Sequence, residues 1–386
     1  MDSKLLPPID LELETVGFCQ QNVKDFMVNV LEPEEARTAQ DFIQHTPLIQ
    51  GLVNIPVLLD VICFSWNSLS RDGTAITMTG MYQLMVRELW RKDVVRLKKT
   101  AGGQNLTEED IKLEDVDKLM ATEMQHLGYL AFKGMNNNHQ IEFNEEALLC
   151  AFEDLKDEAA NNEQLSPAQL VEDRKQTSFL HRADAGLDFI GNQAWHFLHL
   201  TFQEYFAATW IVRHFQPKPM AGMITVKQME AFVHQHKYNP QYETIWSMVA
   251  GLLEDEPLVA FFGLLQGAPR ALIGGRHQQI LASCLNEART RLDPAVAVDL
   301  DSELMGWLRF EMQTCQHGKD SRSMLGSQIS FPEVSLVEAS GSLPCWTTTL
   351  LNTLAARSVL SDSAIQSSLP HSRMKMQIPG FQKHRH

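Results

Sequence analysis

The stretch W-H-F-L-H-L-T-F-Q-E-Y-F-A-A-T-W-I-V-R-H, residues 195–214, constrains the fold of this chain more than any other. It predicts a short strand that runs directly into a helix. Thr201 is suited to cap the helix, and Glu204 follows at the spacing of a capping box. Leu200 and Tyr205 are spaced for a hydrophobic staple. One buried helix face is predicted from apolar spacing of 3.6 residues: Phe202, Tyr205, Phe206 and Thr209.

His199 lies two residues ahead of this predicted cap, at the mouth of the helix. Free N–H groups and the helix dipole make a helix N-terminus favourable for anions. An imidazole at this position is therefore well placed to donate a hydrogen bond to a phosphate. The alternative is a partly buried histidine that bonds to a nearby carbonyl group and binds no ligand.

The run F-L-H-L-T-F-Q-E-Y-F-A-A, residues 197–208, resembles the motif that closes the winged-helix domain of NACHT-type NTPases. These STAND, NLR-like proteins are nucleotide switches in innate immune signalling. In that family the histidine of the motif contacts the β-phosphate of ADP and holds the closed, inactive form. The resemblance implies that His199 is a nucleotide-binding residue.

Composition limits the class of protein. A chain of 386 residues with 44% hydrophobic residues predicts two or three domains. The net charge of −15 argues against a nucleic-acid partner and against an anionic membrane surface. The six cysteines form no C-x-x-C pair, which is typical of a reducing compartment. No stretch is long and apolar enough for a membrane span and no secretory signal is evident, so the sequence predicts a cytoplasmic protein.

Residues 1–14 alternate between apolar and acidic side chains and predict a strand with one buried face. It needs a partner strand, which could come from later in the chain. The following E-L-E-T-V-G-F-C, residues 12–19, resembles the junction at which the last strand of a NACHT core ends. On this resemblance, residues 1–16 are the remnant of that core.

The phosphate-binding part of such a core is missing from the sequence. A P-loop requires G-x-x-x-x-G-K-[ST], and the one Gly-Lys pair, Gly318-Lys319, is followed by Asp320. No strand that ends in paired acids, which would hold Mg²⁺, is present either. We therefore expect no ATP hydrolysis by this chain. Binding of ADP or ATP is expected only together with a complete NTPase core, and the isolated chain is expected to carry no cofactor.

Residues 17–72 predict a helical domain. Its helices are expected at 21–31, 32–44 and 47–52, with a nearly all-apolar helix opened by Pro56. The NACHT family places a proline beside the adenine at this point in its first helical domain, and the resemblance implies that role for Pro56. The alternative is a proline that only begins a helix.

Residues 73–214 predict a winged-helix domain with a small β-hairpin. The expected elements are helices at 79–90, 118–133 and 148–155, an acidic loop around 108–117, a strand at 141–143, a helix opening at Ser166, and hairpin strands at 179–180 and 189–190. Winged helices often bind DNA, so this function is an alternative. The helix after Ser166 has too little net positive charge for it, because Glu172 and Asp173 stand beside Arg174 and Lys175.

Residues 215–315 predict packed helix pairs that resemble helical domain 2 of NACHT proteins. The expected helices are 226–236, 240–253, 257–266, 277–292 and 294–313. They could begin a helical-repeat solenoid, although no leucine-rich, ankyrin or WD pattern recurs at a fixed period. Residues 316–386 predict a mostly disordered tail.

The sequence thus predicts a mostly α protein: a helical domain, a winged-helix domain and packed helix pairs. The predicted function is the regulatory region of a truncated NACHT/NLR-like signalling NTPase, which controls a closed/open oligomerisation switch. The alternative is a nucleotide-independent helical scaffold. Partners would be proteins, including a second copy of the chain. No enzyme activity or metal site is predicted, because the set Glu153, Asp154, Asp157 and Glu158 and the set His181, His196 and His199 lack ligand spacing.

Overall fold

The computed structural model describes residues 17–45, 47–70, 77–101, 104–137, 139–156, 171–172, 174–182, 194–215, 226–270 and 275–317. All of them belong to one compact unit, Met1–Phe331. This part of the chain is mostly helical with a small antiparallel sheet, which confirms the predicted fold class. No helix within it is both long and apolar enough to cross a membrane. Four predictions lie outside the described residues: the strand at 1–14, the helix opening at Ser166, the hairpin strand at 189–190 and the disordered tail from residue 318.

Five helices form the first part of the described structure. They are α1 (Gln20–Val30), α2 (Pro33–His45), α3 (Pro47–Leu52), α4 (Pro56–Phe64) and α5 (Trp66–Leu69). Three begin at a proline, whose fixed φ suits the first helical turn and whose missing N–H would have no partner there. The helices predicted between residues 21 and 64 are confirmed to within one or two residues.

A long helix, α6 (Met78–Arg96), follows, and Thr77 caps it by accepting a hydrogen bond from the Gly80 amide at 3.0 Å. A short strand pair, a 3-10 turn and three helices come next: β1 (Thr100–Ala101), β2 (Gln104–Asn105), the turn Glu108–Asp110, α7 (Leu113–Leu119), α8 (Ala121–Asn136) and α9 (Glu145–Lys156). The helix predicted at 118–133 is therefore two helices, α7 and α8, which meet at Met120.

The prediction of an acidic loop around 108–117 is wrong, because α7 begins within it. Two of the acidic side chains, Glu114 and Asp115, lie in the first turn of α7, where they interact favourably with the helix dipole. Val116 of the same turn is fully buried. The expectation that these acidic side chains are solvated holds for Glu108, Asp110 and Glu114, which are exposed, but part of the segment is a helix and not a loop.

A three-stranded antiparallel sheet leads into α10 (Leu200–Arg213). Its strands are β3 (Phe143–Asn144), β4 (Leu180–Arg182) and β5 (Ala194–Phe197), in the order β3-β5-β4. Phe143 pairs with Trp195, and Leu180 pairs with Phe197. The strand β5 leads within two residues into α10, so the predicted strand followed by a helix is confirmed.

Five further helices and a 3-10 turn complete the described chain. They are α11 (Val226–His236), the turn Pro240–Tyr242, α12 (Glu243–Leu252), α13 (Asp255–Gln266), α14 (Arg276–Ala288) and α15 (Pro294–His317). The predicted helices of this region are confirmed, except that Pro240 opens a 3-10 turn ahead of α12. The predicted domain boundaries stay a prediction, since one continuous set of buried apolar residues extends from α1 to α15.

Helix α10 lies at the centre of this core, where it packs against α8, α12 and α6. Phe202 and Phe206 are fully buried, and Phe206 forms edge-to-face ring contacts with Trp90 and Phe179. A Cβ atom at Gly128 of α8 would lie only 3.2 Å from the Phe206 carbonyl oxygen, so glycine lets the two helices approach closely.

Three residues of the predicted face, Phe202, Tyr205 and Phe206, are buried, and Thr209 is half-buried. The prediction of one buried face is too narrow, because all residues from 202 to 208 are buried and the helix is enclosed on every side. This burial fixes the position of the residues at the start of the helix.

Candidate functional site

His199 is the N-cap residue of α10. Its backbone is extended, and its Nδ1 atom accepts a hydrogen bond from the Thr201 amide at 3.2 Å. The same Nδ1 lies 2.9 Å from the Thr201 hydroxyl oxygen. The side chain is half-buried, and burial lowers the pKa of its imidazole below the usual value. His199 is therefore neutral at pH 7, and its Nδ1 atom carries a lone pair.

This arrangement fixes the tautomer of the ring. A neutral imidazole carries one proton, and because Nδ1 accepts from a backbone amide, the proton must be on Nε2. Nε2 makes no hydrogen bond with any described residue and is not sealed from solvent. A hydrogen-bond donor is thus available at the N-terminal end of a helix, where an anion is favoured.

The cap is held in place by α6. The Tyr82 hydroxyl lies 2.5 Å from the Thr201 hydroxyl oxygen, which completes a chain of bonds from Tyr82 through Thr201 to His199. Burial raises the pKa of Tyr82, so its hydroxyl stays protonated, and either hydroxyl of this pair can be the donor. Its ring packs against Phe202, with ring centroids 5.1 Å apart. The imidazole is therefore oriented by a residue far away in the sequence.

The predicted capping box is wrong. His199, and not Thr201, caps α10, and Glu204 points into the core, where only 8% of its surface is exposed. Burial raises the pKa of Glu204 to about 7, and a hydrogen bond to Thr244 of α12 partly opposes this rise. The predicted staple is also wrong, because Leu200 is 45% exposed while Tyr205 is buried.

Pro56 is the first residue of α4, and it is exposed. The chain that leads into α1 contacts the turn just before it: the Phe18 amide donates to the Asn54 carbonyl oxygen at 2.7 Å. Gly17 has φ of 69°, and a Cβ atom there would overlap the same oxygen. Gly17 is thus required because a side chain at this position would overlap the turn that precedes Pro56.

Pro56 and His199 lie on helices that do not pair directly in the main packing of the fold. Helix α4 packs on α1 and α5, α5 packs on α6, and α6 packs on α10. The link from α5 to α6 includes a hydrogen bond from the Ser68 hydroxyl to the Glu88 carboxylate. Among the described residues, no hydrogen bond and no shared cavity joins Pro56 to His199, so their sharing of one nucleotide stays a prediction.

A cavity of about 490 Å³ lies between α1, α2 and α3. Its lining ends at Asn54, two residues before Pro56, and includes neither Pro56 nor His199. We call it the α1–α3 cavity. No sequence motif indicated it, because its walls come from three separate helices.

Glu287 of α14 is a second important residue that the sequence did not indicate. Its carboxylate accepts hydrogen bonds from the Met78 and Thr79 amides, at 3.1 and 2.8 Å, at the N-terminus of α6. Gly251 of α12 packs so closely on Thr79 that a Cβ atom there would overlap the threonine side chain. The start of α6 is therefore held by two helices that come much later in the chain.

The histidine and carboxylate sets considered in the sequence contain side chains that bond to neighbouring protein groups. His181 and His196 are cross-strand neighbours with ring centroids 6.4 Å apart, and each bonds a backbone carbonyl. Asp154 pairs with Lys133, whereas Asp157 and Glu158 lie outside the described residues. Across the described ranges, no group of three or more histidine, cysteine or acidic side chains is arranged to hold a metal.

The basic residues considered for DNA binding are also paired. Lys175 forms ion pairs with Glu145 and Glu172, at 3.1 and 2.7 Å. Arg174 is buried and forms an ion pair with Glu123 at 3.0 Å. Side chains used in this way offer little charge to a phosphate backbone.

Comparison with known proteins gives one family match. Residues 34–77 match DUF7068, a domain of unknown function. The matched span covers α2 from its second residue, contains α3, α4 and α5, and ends at Thr77, the cap of α6. No curated protein matches the chain. The match covers Pro56 and the α2 and α3 walls of the α1–α3 cavity, but not His199.

Proposed function

We propose that this chain is the regulatory region of a nucleotide-dependent signalling switch of the kind found in NACHT/NLR-like proteins. In this proposal the Nε2–H group of His199 donates a hydrogen bond to a phosphate of ADP, and Pro56 borders the adenine. The ADP itself is held mainly by a complete NTPase core. The nucleotide bridges the core and α10 and favours a closed form, and its loss releases a surface for self-association in the cytoplasm.

One observation carries the proposal: the Nε2–H of His199 lies at the start of α10 and has no hydrogen-bond partner among the described residues. A hydrogen bond to a charged group is worth about 1.5–3 kcal/mol, which would shift a closed/open equilibrium by roughly 10- to 150-fold. That range is sufficient for a switch if the two forms are nearly balanced. Because the ring is neutral, the interaction does not depend on protonation of His199 near pH 7.

The second candidate is a helical interaction scaffold that binds no nucleotide. It is favoured by the same Nδ1 contact, because capping α10 is by itself a sufficient role for a histidine. The two candidates differ in what they require of Nε2, which the cap does not use.

Substitution of His199 by asparagine separates the two roles. Asparagine is a good N-cap, so His199→Asn keeps the cap of α10 but loses the Nε2 donor. His199→Ala loses both. His196→Ala serves as the matched control, because His196 lies three residues earlier and its one hydrogen bond among the described residues is with the Phe197 carbonyl.

The assay is the extent of self-association, measured by light scattering, in a polypeptide that joins residues 17–386 to a complete P-loop core. With ADP present, we expect His199→Asn and His199→Ala to raise basal self-association and His196→Ala to leave it unchanged. Unchanged self-association in His199→Asn, together with lowered stability in His199→Ala, would remove the switch and support the scaffold. For the chain without a core, a clear thermal shift with ADP would count against the scaffold.

A further inference from the structure

The α1–α3 cavity has the properties of a small-molecule site. Its volume of about 490 Å³ falls within the range of roughly 300–1,000 Å³ that is common for ligand clefts. Its walls come from the successive helices α1, α2 and α3, and the α2 and α3 walls lie within the residues that match DUF7068. It is separate from both nucleotide-binding residues of the proposed function.

The floor of the cavity is apolar. Four buried side chains form it: Val23 and Met27 of α1, Ile43 of α2, and Val53. Val23 and Met27 are one helical turn apart and so face the same side of α1. A ligand therefore needs a short apolar group to cover this floor.

The rim is polar. Among the described residues that line the cavity, Lys24 is the one charged side chain, and the carboxamides of Gln20, Gln40, Gln44 and Asn54 line the cavity with it. Within the described part of the chain, none of these five side chains makes a hydrogen bond or an ion pair. Gln20, Lys24, Gln44 and Asn54 are exposed, so water satisfies their polar groups in the free protein and a ligand can take its place. An apolar floor with a few polar groups around it is typical of a binding site.

The chemistry of the rim defines the ligand class. A carboxamide both donates and accepts, which matches the amide group of a ligand. The ammonium group of Lys24, with no acidic side chain among the described lining residues, favours a carboxylate. We propose that the α1–α3 cavity binds a small carboxylate that carries an amide group and a short apolar body, as in an N-acylated amino acid.

Gly51 provides a direct way to block the site. It lines the cavity from α3, and a Cβ atom there meets no other atom within 4 Å, so a larger side chain fits without disturbing the backbone. Gly51→Leu is therefore expected to fill the cavity and leave α3 intact. Gly263→Leu is the matched control, because Gly263 of α13 also has open space at its Cβ position and lies outside the cavity.

The test uses the full chain with ¹³C-methyl methionine and N-acetyl-leucine as the probe. Met27 lies on the floor, and its methyl signal is identified by its loss in Met27→Leu. We expect a saturable shift of this signal with a Kd of about 1 mM, as is usual for so small a ligand. The neutral N-acetyl-leucinamide, or the substitution Lys24→Met, should weaken binding by about tenfold or more, because a charge-assisted hydrogen bond is lost.

Gly51→Leu should abolish the shift, and Gly263→Leu should leave it unchanged. No saturable shift up to about 10 mM, some tenfold above the expected Kd, would overturn the proposal. Binding that persists in Gly51→Leu would also overturn it. Equal binding of the acid and the amide would overturn the carboxylate assignment. None of these outcomes depends on the nucleotide switch.

Discussion

Removal of the Glu287 carboxylate should destabilise the fold from a position far from α6 in the sequence. Glu287 accepts hydrogen bonds from the Met78 and Thr79 amides, and only 6% of its surface is exposed. These amides are among the four at a helix start that have no partner within the helix. The substitution Glu287→Ala leaves both without an acceptor.

The magnitude follows from the number and type of these bonds. A hydrogen bond to a charged group contributes about 1.5–3 kcal/mol, and a negative charge at a helix N-terminus adds about 0.3–2 kcal/mol. These contributions overlap, and water can reach part of the vacated site. We therefore expect Glu287→Ala to lower the free energy of unfolding by about 2–4 kcal/mol.

The assay is urea unfolding followed by tryptophan fluorescence, with hydrogen exchange at the Thr79 amide as a local probe. Asp293→Ala is the control, because Asp293 is an exposed local cap that accepts from the Ala295 amide at 2.8 Å. A local cap is worth about 1 kcal/mol. If Glu287→Ala costs no more than Asp293→Ala, or if exchange at Thr79 is not faster, the long-range cap is not a main support of α6.

Two further predictions concern Glu204 and Gly17. The pKa of Glu204 is raised from 4.5 to about 7 in the folded state. The free-energy cost of burying the charged carboxylate is therefore absent below pH 4.5, grows as pH rises, and is complete above about pH 7. Glu204→Gln should therefore raise the free energy of unfolding by roughly 2–4 kcal/mol at pH 8 and change it little at pH 4.5, and an equal effect at both values would contradict this reasoning. Gly17→Ala should lower the free energy of unfolding by at least about 1–2 kcal/mol, because Gly17 has a positive φ and a Cβ atom there would overlap the Asn54 carbonyl oxygen. Gly263→Ala, on an open helix face, should instead raise the free energy of unfolding by about 0.5–1 kcal/mol. Urea unfolding of both glycine variants checks the two signs, and a Gly17→Ala protein as stable as the parent would refute the strain argument.

The helices of this chain could be predicted because their signals are local. Prolines at 33, 47 and 56 mark helix starts through their own fixed φ, and the apolar spacing of residues 202–209 marks the face of α10. The strand before α10 was predicted in the same way. Each of these signals acts within one or two turns of chain, so no knowledge of distant residues is needed.

The candidate site could be predicted only in part. His199 was found by its place before a helix, but the cap was assigned to Thr201. The helix begins at Leu200, two residues earlier than a Thr201 cap requires, so the Thr201 amide donates to His199. The Thr201 hydroxyl, which would have capped the helix, is bonded to Tyr82 of α6 instead. The proton is placed on Nε2 because Nδ1 accepts a hydrogen bond from the Thr201 amide. The residue spacing within 195–214 does not predict that bond.

By itself, then, the sequence determined the mostly α fold, the position of its helices and the placement of His199 and Pro56 at two helix starts. The tertiary structure decided the tautomer of His199, the cap that Glu287 provides to α6, and the α1–α3 cavity. It also buried Lys237, whose ammonium donates to the Leu264, Leu265 and Gly267 carbonyl oxygens at the end of α13, although a lysine is usually exposed. The physical reason is range: backbone preference and apolar spacing act between neighbours in the chain, whereas hydrogen-bond partners and cavities arise only when distant helices pack together.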